Sequence, residues 1–311
     1  MEPYPLTFEP ILIEKVWGGR TLEQFGKQLP PNVLVGESWE LADLPVSIPN
    51  GKSVIANGPF AGKKLDENFP LLIKYLDACD NLSVQVHPSP EYAAHHPEAH
   101  LKSEAWVILD TTPEGLIYVG LKEGTTEKAL RASITNNTVP ELLNAINVNK
   151  GECYYLPSGT CHALGAGVLV AEVQTPSDTT FRVWDWGRTG RTMHVEQAIE
   201  CIDFTARPEN FSSPTPMQCG PFETTLLVET PYFSAERVRA INNCSMDLVV
   251  DTTPAVLMVV EGNAIIEHTI SVDAPTGRTV LLPIGLQHAK LHLSKNSTVL
   301  RFDVPSQPIL A

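Results

Sequence analysis

The sequence specifies a mainly β protein made of two related barrel-like units, and three observations point there. Short apolar runs of period two, bounded by Gly, Pro, Asn and Asp, recur along most of the chain. Toward the C-terminus they follow one another at the regular short intervals of a sandwich or barrel. A strand, a Pro-x-Gly turn and a histidine occur in Gly151 to His162 and again in Thr279-Val-Leu-Leu-Pro-Ile-Gly-Leu-Gln-His288, which indicates a duplicated β-barrel unit.

Taken in order, Leu6 to Trp17 reads as one strand or two, stopped by Gly18-Gly19. Thr21 to Phe25 reads as a short helix capped by Thr21. In Gly36 to Asp43, Glu37, Trp39 and Leu41 alternate with Ser38, Glu40 and Ala42, and either face could wall a pocket; Trp39 alone reads as a core aromatic. Pro70 to Leu109 opens and closes on strands, with a helix or pair of turns over Pro90 to Leu101 between them. A strand over Leu116 to Val119 precedes a small helical insertion at about 122–147, which carries no strand signal. Strands resume on both sides of Pro157-Ser-Gly159, then at Val168 to Thr175 and Phe181 to Trp186, where Arg182, Trp184 and Trp186 lie opposite Asp185. Thr205 to Pro221 has the composition of a linker, so the units divide at 1–210 and 211–311. The second unit continues with seven strand-like runs from Glu223 to Val304.

Composition narrows the function. A chain of 311 residues with 43% hydrophobic and 19% charged residues has an ordinary globular composition. The segment MEPYPLTFEP resembles no secretory signal, and no apolar run reaches membrane-spanning length, so a cytoplasmic location is expected. A formal net charge of -14 argues against nucleic acid and anionic membranes as partners. An anionic substrate would need local Lys and Arg to overcome that field. Six cysteines without C-x-x-C spacing read as reduced, mostly buried small hydrophobes; Cys161 should face away from His162.

The chemistry concentrates between residues 83 and 104. On a strand Ser83, Gln85 and His87 share one face while Val84 and Val86 take the other. Three polar groups on one face suit either solvent or a bound cation. Lys102 and Glu104 repeat the spacing at the head of the next strand, so two neighbouring strands could aim ligands at one point. His95, His96 and His100 between them read as solvated.

Five stretches then carry a family resemblance: Leu82-Ser-Val-Gln-Val-His-Pro88, Lys102-Ser-Glu104, Gly159-Thr-Cys-His-Ala-Leu-Gly165, Glu172-Val-Gln174 and Ser177-Asp-Thr-Thr-Phe-Arg-Val-Trp-Asp185. With Val16-Trp-Gly-Gly19 and Phe69-Pro-Leu-Leu-Ile-Lys74, they resemble the type I mannose-6-phosphate isomerases of the short bacterial form, in order from about residue 4 to 204. The resemblance implies cupin-type (jelly-roll) barrels and a zinc enzyme interconverting mannose 6-phosphate and fructose 6-phosphate. It puts the metal ligands at Gln85, His87, Glu104 and His162, one ion per chain; manganese, iron or cobalt also suit those ligand types.

Where the family has Lys-Pro-Glu, this chain has Lys102-Ser-Glu104, which keeps both functional side chains. For an enediol mechanism, Arg182 would support the enediolate, Glu172 or a water on the metal would handle protons, and Lys102 would serve the enediolate or the phosphate. Ser83 and Lys74 are the expected substrate-binding residues, with Arg188 and Arg191 as lesser candidates. The expected partner is a small phosphosugar, and the oligomeric state is left open, a monomer included. Two other classes share such a barrel: a non-haem iron oxygenase and a non-catalytic sugar-binding regulator.

Overall fold

The structure, a computed structural model, describes residues 2–66, 68–206 and 214–305. Of the expected linker over Thr205–Pro221, positions 207–213 lie outside the described residues. The first thirteen strands are β1 (Leu6–Glu9), β2 (Ile11–Gly19), β3 (Val35–Leu41), β4 (Val54–Ile55), β5 (Leu72–Ala78), β6 (Val84–Val86), β7 (Glu104–Thr111), β8 (Leu116–Leu121), β9 (Leu143–Asn147), β10 (Cys153–Leu156), β11 (His162–Leu164), β12 (Val168–Gln174) and β13 (Phe181–Trp184). They are followed by β14 (Met217–Cys219), β15 (Phe222–Glu229), β16 (Ser234–Ala240), β17 (Cys244–Val250), β18 (Ala255–Glu261), β19 (Asn263–Glu267), β20 (Val272–Pro275), β21 (Thr279–Leu282), β22 (Leu286–Leu293) and β23 (Thr298–Asp303). The α-helices are α1 (Pro90–His95), α2 (Glu127–Asn136) and α3 (Val195–Cys201).

These strands form four antiparallel sheets that stack as layers. A five-stranded sheet, β13-β6-β11-β8-β9, faces a six-stranded sheet, β10-β7-β12-β5-β3-β2. Between them lies a core containing Trp17, Leu76, Trp106, Ile117, Val119 and Val170. The other face of the six-stranded sheet packs through Ile73, Tyr75, Val107 and Val173 onto Phe8, Met258, Leu281 and Phe302 of an eight-stranded sheet, β14-β15-β16-β23-β18-β21-β1-β4. A four-stranded sheet, β17-β22-β19-β20, closes the far side over Leu248, Ile266, Val280 and Leu291. Being covered on both faces, β3, β5 and β12 are buried along their whole length. That is why they do not read as cleanly alternating strands.

Several expectations change on this scaffold. The two strands carrying Gln85 and Glu104 are not sheet neighbours: β6 and β7 belong to facing sheets, so the side chains expected as ligands approach one another across the gap. The insertion keeps α2, with Thr126 Oγ1 accepting from the Ala129 N–H and Asn137 turning left-handed at its end. Leu142, Leu143 and Ile146, however, belong to a 3-10 turn and the edge strand β9 rather than to more helix. Their spacing fits both periods. Thr21 is the first residue of a 3-10 turn, not its cap, and its N–H donates to Asp77 Oδ2 at 2.6 Å. Register shifts in β3 and β13 move Leu41 away from the face of Glu37 and Trp39, and Trp184 away from that of Arg182. Each shift flips the side chains beyond it.

Candidate metal centre and adjoining pocket

Three segments converge between the five- and six-stranded sheets. His87 follows β6, Glu104 opens β7 and His162 opens β11, and one ligand atom from each lies within 4.8 Å of the others. All three are buried. His87 Nε2 is 3.3 Å from Glu104 Oε2, and His162 Nε2 is 3.2 Å from Glu104 Oε1. Each ring is fixed from behind: His87 Nδ1 lies 3.1 Å from Thr179 O and His162 Nδ1 lies 2.8 Å from Thr160 O. A carbonyl oxygen only accepts, so each Nδ1 carries the proton and each Nε2 presents a lone pair inward.

The electrostatics agree with ligands in their binding forms. Burial, with the Lys102 charge beside it, pulls His87 down to about 3, so the ring is neutral. Burial would raise Glu104, but its neighbours, the Lys102 charge foremost, hold the carboxyl well below the usual carboxylate range. Lys102 Nζ is 2.7 Å from Glu104 Oε2, at angles outside those of a hydrogen bond. His87 Nε2 and both Glu104 oxygens are therefore buried with no hydrogen-bond partner. Orphaned acceptors of this kind cost about 1–3 kcal/mol each unless something satisfies them. A divalent cation fits: two imidazoles and a carboxylate are a donor set for a borderline ion such as zinc.

Gln85 stands on β6 directly opposite His162 on β11. Its Nε2 lies 3.3 Å from His162 Nε2, while its Oε1 accepts from Ser83 Oγ at 3.4 Å. The two ends of an amide exchange places by rotation about one bond. A cation at the cluster would favour the rotamer that turns Oε1 inward.

Beside the cluster opens a cavity of about 240 Å³. Its lining includes every other expected site residue: Ser83, Lys74, Lys102, Glu172 and Arg182. Glu172 is buried with Oε2 accepting from Trp106 Nε1 at 2.9 Å, and its Oε1 has no hydrogen-bond partner. Burial and the Glu104 charge raise its pKa, which Lys74 and Lys102 partly counter. Lys74 Nζ lies 3.5 Å from Glu37 and 3.3 Å from Glu172, over the Trp39 ring; it stays charged because these carboxylates outweigh burial. Arg182, opposite Gln85 on β13, donates from Nη1 to Thr192 O and keeps a buried, unpartnered Nε.

Sequence reasoning did not single out Lys15, Asp178 or Thr180 as pocket residues, and named Glu37 only as part of a candidate wall; of its two lesser candidates, Arg191 lines the pocket and Arg188 is not in the lining. For Glu37 a signal existed in its alternation with Trp39; Arg191 reads as a loop arginine until Asp185, which holds it at 3.0 Å, is seen to be buried. The histidines set aside stay out of the centre: His95 and His96 bond back to carbonyls of their own turn. Cys161 packs in the helix-covered core on the far side of the five-stranded sheet. Among the described residues no helix is long and apolar enough to cross a membrane.

Fold and site together define a mainly β metal-dependent enzyme, with a His-Glu-His centre opening into a polar, cation-rich pocket. The family model for the phosphomannose isomerase type I catalytic domain matches residues 11–158. The chain is 35% identical to mannose-6-phosphate isomerase ManA of Bacillus subtilis, covering 94% of this chain and 96% of that protein. It is also 35% identical to the mannose-6-phosphate isomerase of Streptococcus mutans, covering 82% of this chain and 84% of the relative. In structure it superposes on the crystal structure of the Bacillus subtilis mannose 6-phosphate isomerase with a TM-score of 0.86, at 28% identity over 96% of this chain and 99% of that one. The chain belongs to the type I phosphomannose isomerases.

Proposed function

We propose that this enzyme interconverts D-mannose 6-phosphate and D-fructose 6-phosphate through an enediol(ate), at a site holding one zinc ion. The observation that carries the reading is the cluster of buried ligand atoms from His87, Glu104 and His162, those of His87 and Glu104 without hydrogen-bond partners, beside a pocket lined by Lys74, Lys102, Glu172 and Arg182. Gln85 would be the fourth ligand through Oε1. When bound, zinc supplies Lewis-acid polarisation of sugar oxygens.

The chain's own groups divide the remaining work. Isomerisation moves a proton between C1 and C2, and Glu172 suits the base: one oxygen is fixed by Trp106, the other accepts no hydrogen bond though the Lys74 ammonium stands 3.3 Å away, and its raised pKa strengthens it. Arg182, with its unpartnered Nε, faces charge developing on the enediolate oxygen. Lys102 backs the same charge. Ser83 offers a hydroxyl to the phosphate. Lys74 is less suited to phosphate than its sequence position suggests, because a dianion would also meet Glu37 and Glu172; a sugar hydroxyl is the better partner.

The protein divides, in this reading, into two cupin-type barrels, a metal-binding unit over 1–210 that includes the helical insertion and a metal-free unit over 211–311. The paired sheets support this, with the qualification that β1 and β4 complete the sheet of the second unit. A cytoplasmic location follows from the metabolic substrate. Family membership leaves the oxygenase and the non-catalytic regulator without support. A coupled assay on mannose 6-phosphate and on free mannose, before and after chelation and zinc return, tests the proposal. Turnover of the phosphosugar that disappears with the metal is expected; no turnover by the metal-loaded protein would refute it.

A further inference from the structure

One row of side chains crosses the pocket face of the six-stranded sheet. Trp39 on β3, Lys74 on β5, Glu172 on β12 and Trp106 on β7 stand opposite one another in successive strands. The Lys74 ammonium is shared between two carboxylates, at 3.3 Å from Glu172 Oε1 and 3.5 Å from Glu37 Oε2. Each carboxylate is anchored by an indole N–H, Glu37 by Trp39 at 2.7 Å and Glu172 by Trp106 at 2.9 Å. Lys15 pairs with the other Glu37 oxygen at 2.8 Å. Charges thus alternate Lys15, Glu37, Lys74, Glu172, and all but Lys15 are buried.

Glu172 Oε1 accepts no hydrogen bond, and the Lys74 ammonium stands off from it at 3.3 Å. Were Glu172 the sole counter-ion, a buried ammonium would close onto Glu172 Oε1, because a charge in a poorly solvated site pairs with whatever is nearest. A second carboxylate on its other side holds it back. We propose that Glu37 is a positioning residue for the isomerisation: as second counter-ion to Lys74, it keeps the ammonium from capturing the oxygen with which Glu172 takes the substrate proton. The proposal rests on the reading of Glu172 as the base. Glu37 also raises the pKa of Glu172, as do burial and Glu104, against Lys74 and Lys102.

Glu37→Gln tests it, since a glutamine keeps an acceptor for the Trp39 N–H and removes only the charge. The expected result is a kcat lower by about tenfold, the scale of one pK unit at a general base. KM should stay the same or fall, because the pocket becomes more cationic, and zinc content should not change. Glu37→Asp, which restores the charge, should regain most of the rate. A Glu37→Gln enzyme at wild-type kcat, or a Glu37→Asp enzyme no faster than the glutamine variant, overturns the inference. A wild-type enzyme that does not isomerise mannose 6-phosphate would instead strike the functional reading.

Discussion

Glu104→Gln separates the charge of the central ligand from its shape. The wild-type cluster buries three acceptor atoms without hydrogen-bond partners; Glu104 Oε2 has the Lys102 ammonium beside it, and the other two, Glu104 Oε1 and His87 Nε2, cost about 1–3 kcal/mol each, a penalty that a cation relieves. With zinc at about a thousand times its Kd, binding stabilises the wild type by about 4 kcal/mol. Loss of the carboxylate charge, if it weakens binding about a hundredfold, leaves about 1.4 kcal/mol at the same zinc concentration. For a chain of this size about 2 °C of Tm accompanies each kcal/mol, so the zinc-dependent shift should fall from about 8 °C to about 3 °C. Thermal melts with chelator and with zinc read the difference, and elemental analysis reads the metal. Equal zinc-dependent shifts and equal zinc content in the two proteins would refute the convergence of Glu104 with His87 and His162 on one ion.

Arg182→Ala should keep its zinc and lose about a hundredfold or more in kcat, the usual cost of one electrostatic stabiliser, as read by the coupled assay alongside metal analysis. Glu37 is held at about 2 because Lys74 and Lys15 outweigh the burial that would raise it from 4.5. A carboxylate lowered in this way contributes its full stability above pH 4.5 and loses it as pH falls to about 2, about 3 kcal/mol in all; urea titrations should show that acid-side loss flattened in Glu37→Gln. Between the six- and eight-stranded sheets, Lys27 Nζ donates to Glu40 Oε2 at 2.6 Å and to Gly277 O at 2.7 Å, and Ser38 Oγ donates to Glu40 Oε1 at 2.6 Å. Lys27→Met should cost about 3 kcal/mol by stranding the buried carboxylate, while Lys27→Met with Glu40→Leu should come within about 1 kcal/mol of wild type in the same titration.

What the sequence disclosed follows from which interactions are local. That Gln85 and His87 share one side was legible in a strand's two-residue repeat, and the motif order pointed to Glu104 and His162, which meet His87 in one cluster. That His87 and His162 meet Glu104 across a gap between facing sheets was not legible, because proximity along the chain resembles adjacency in a sheet. Lys74 stood out because it interrupts a run of buried apolar residues, Leu71 to Tyr75. β17 lacks a clear strand signal because its outward face, Ser245, Asp247 and Val249, is exposed and mostly polar. The register shifts in β3 and β13 leave no trace in composition, since an extra residue in a strand changes facing without changing hydrophobicity.

The six-stranded sheet explains how an enzyme of net charge -14 presents a cationic site. Its far face is wholly committed to the core shared with the eight-stranded sheet, so successive residues of β5, β7 and β12 alternate between that core and the pocket. On the pocket face Lys74, Glu172, Trp106 and Glu104 come from strands that packing holds rigid on both sides. Fixed backbone positions let buried charges be paired in a set order instead of by collapse onto the nearest partner. The pocket lining carries two more cations than carboxylates, Lys15, Lys74, Lys102, Arg182 and Arg191 against Glu37, Glu172 and Asp178. Long-range repulsion from the surface is screened within about 8 Å at physiological salt. Inside the cavity the local excess therefore decides, and it favours an anion.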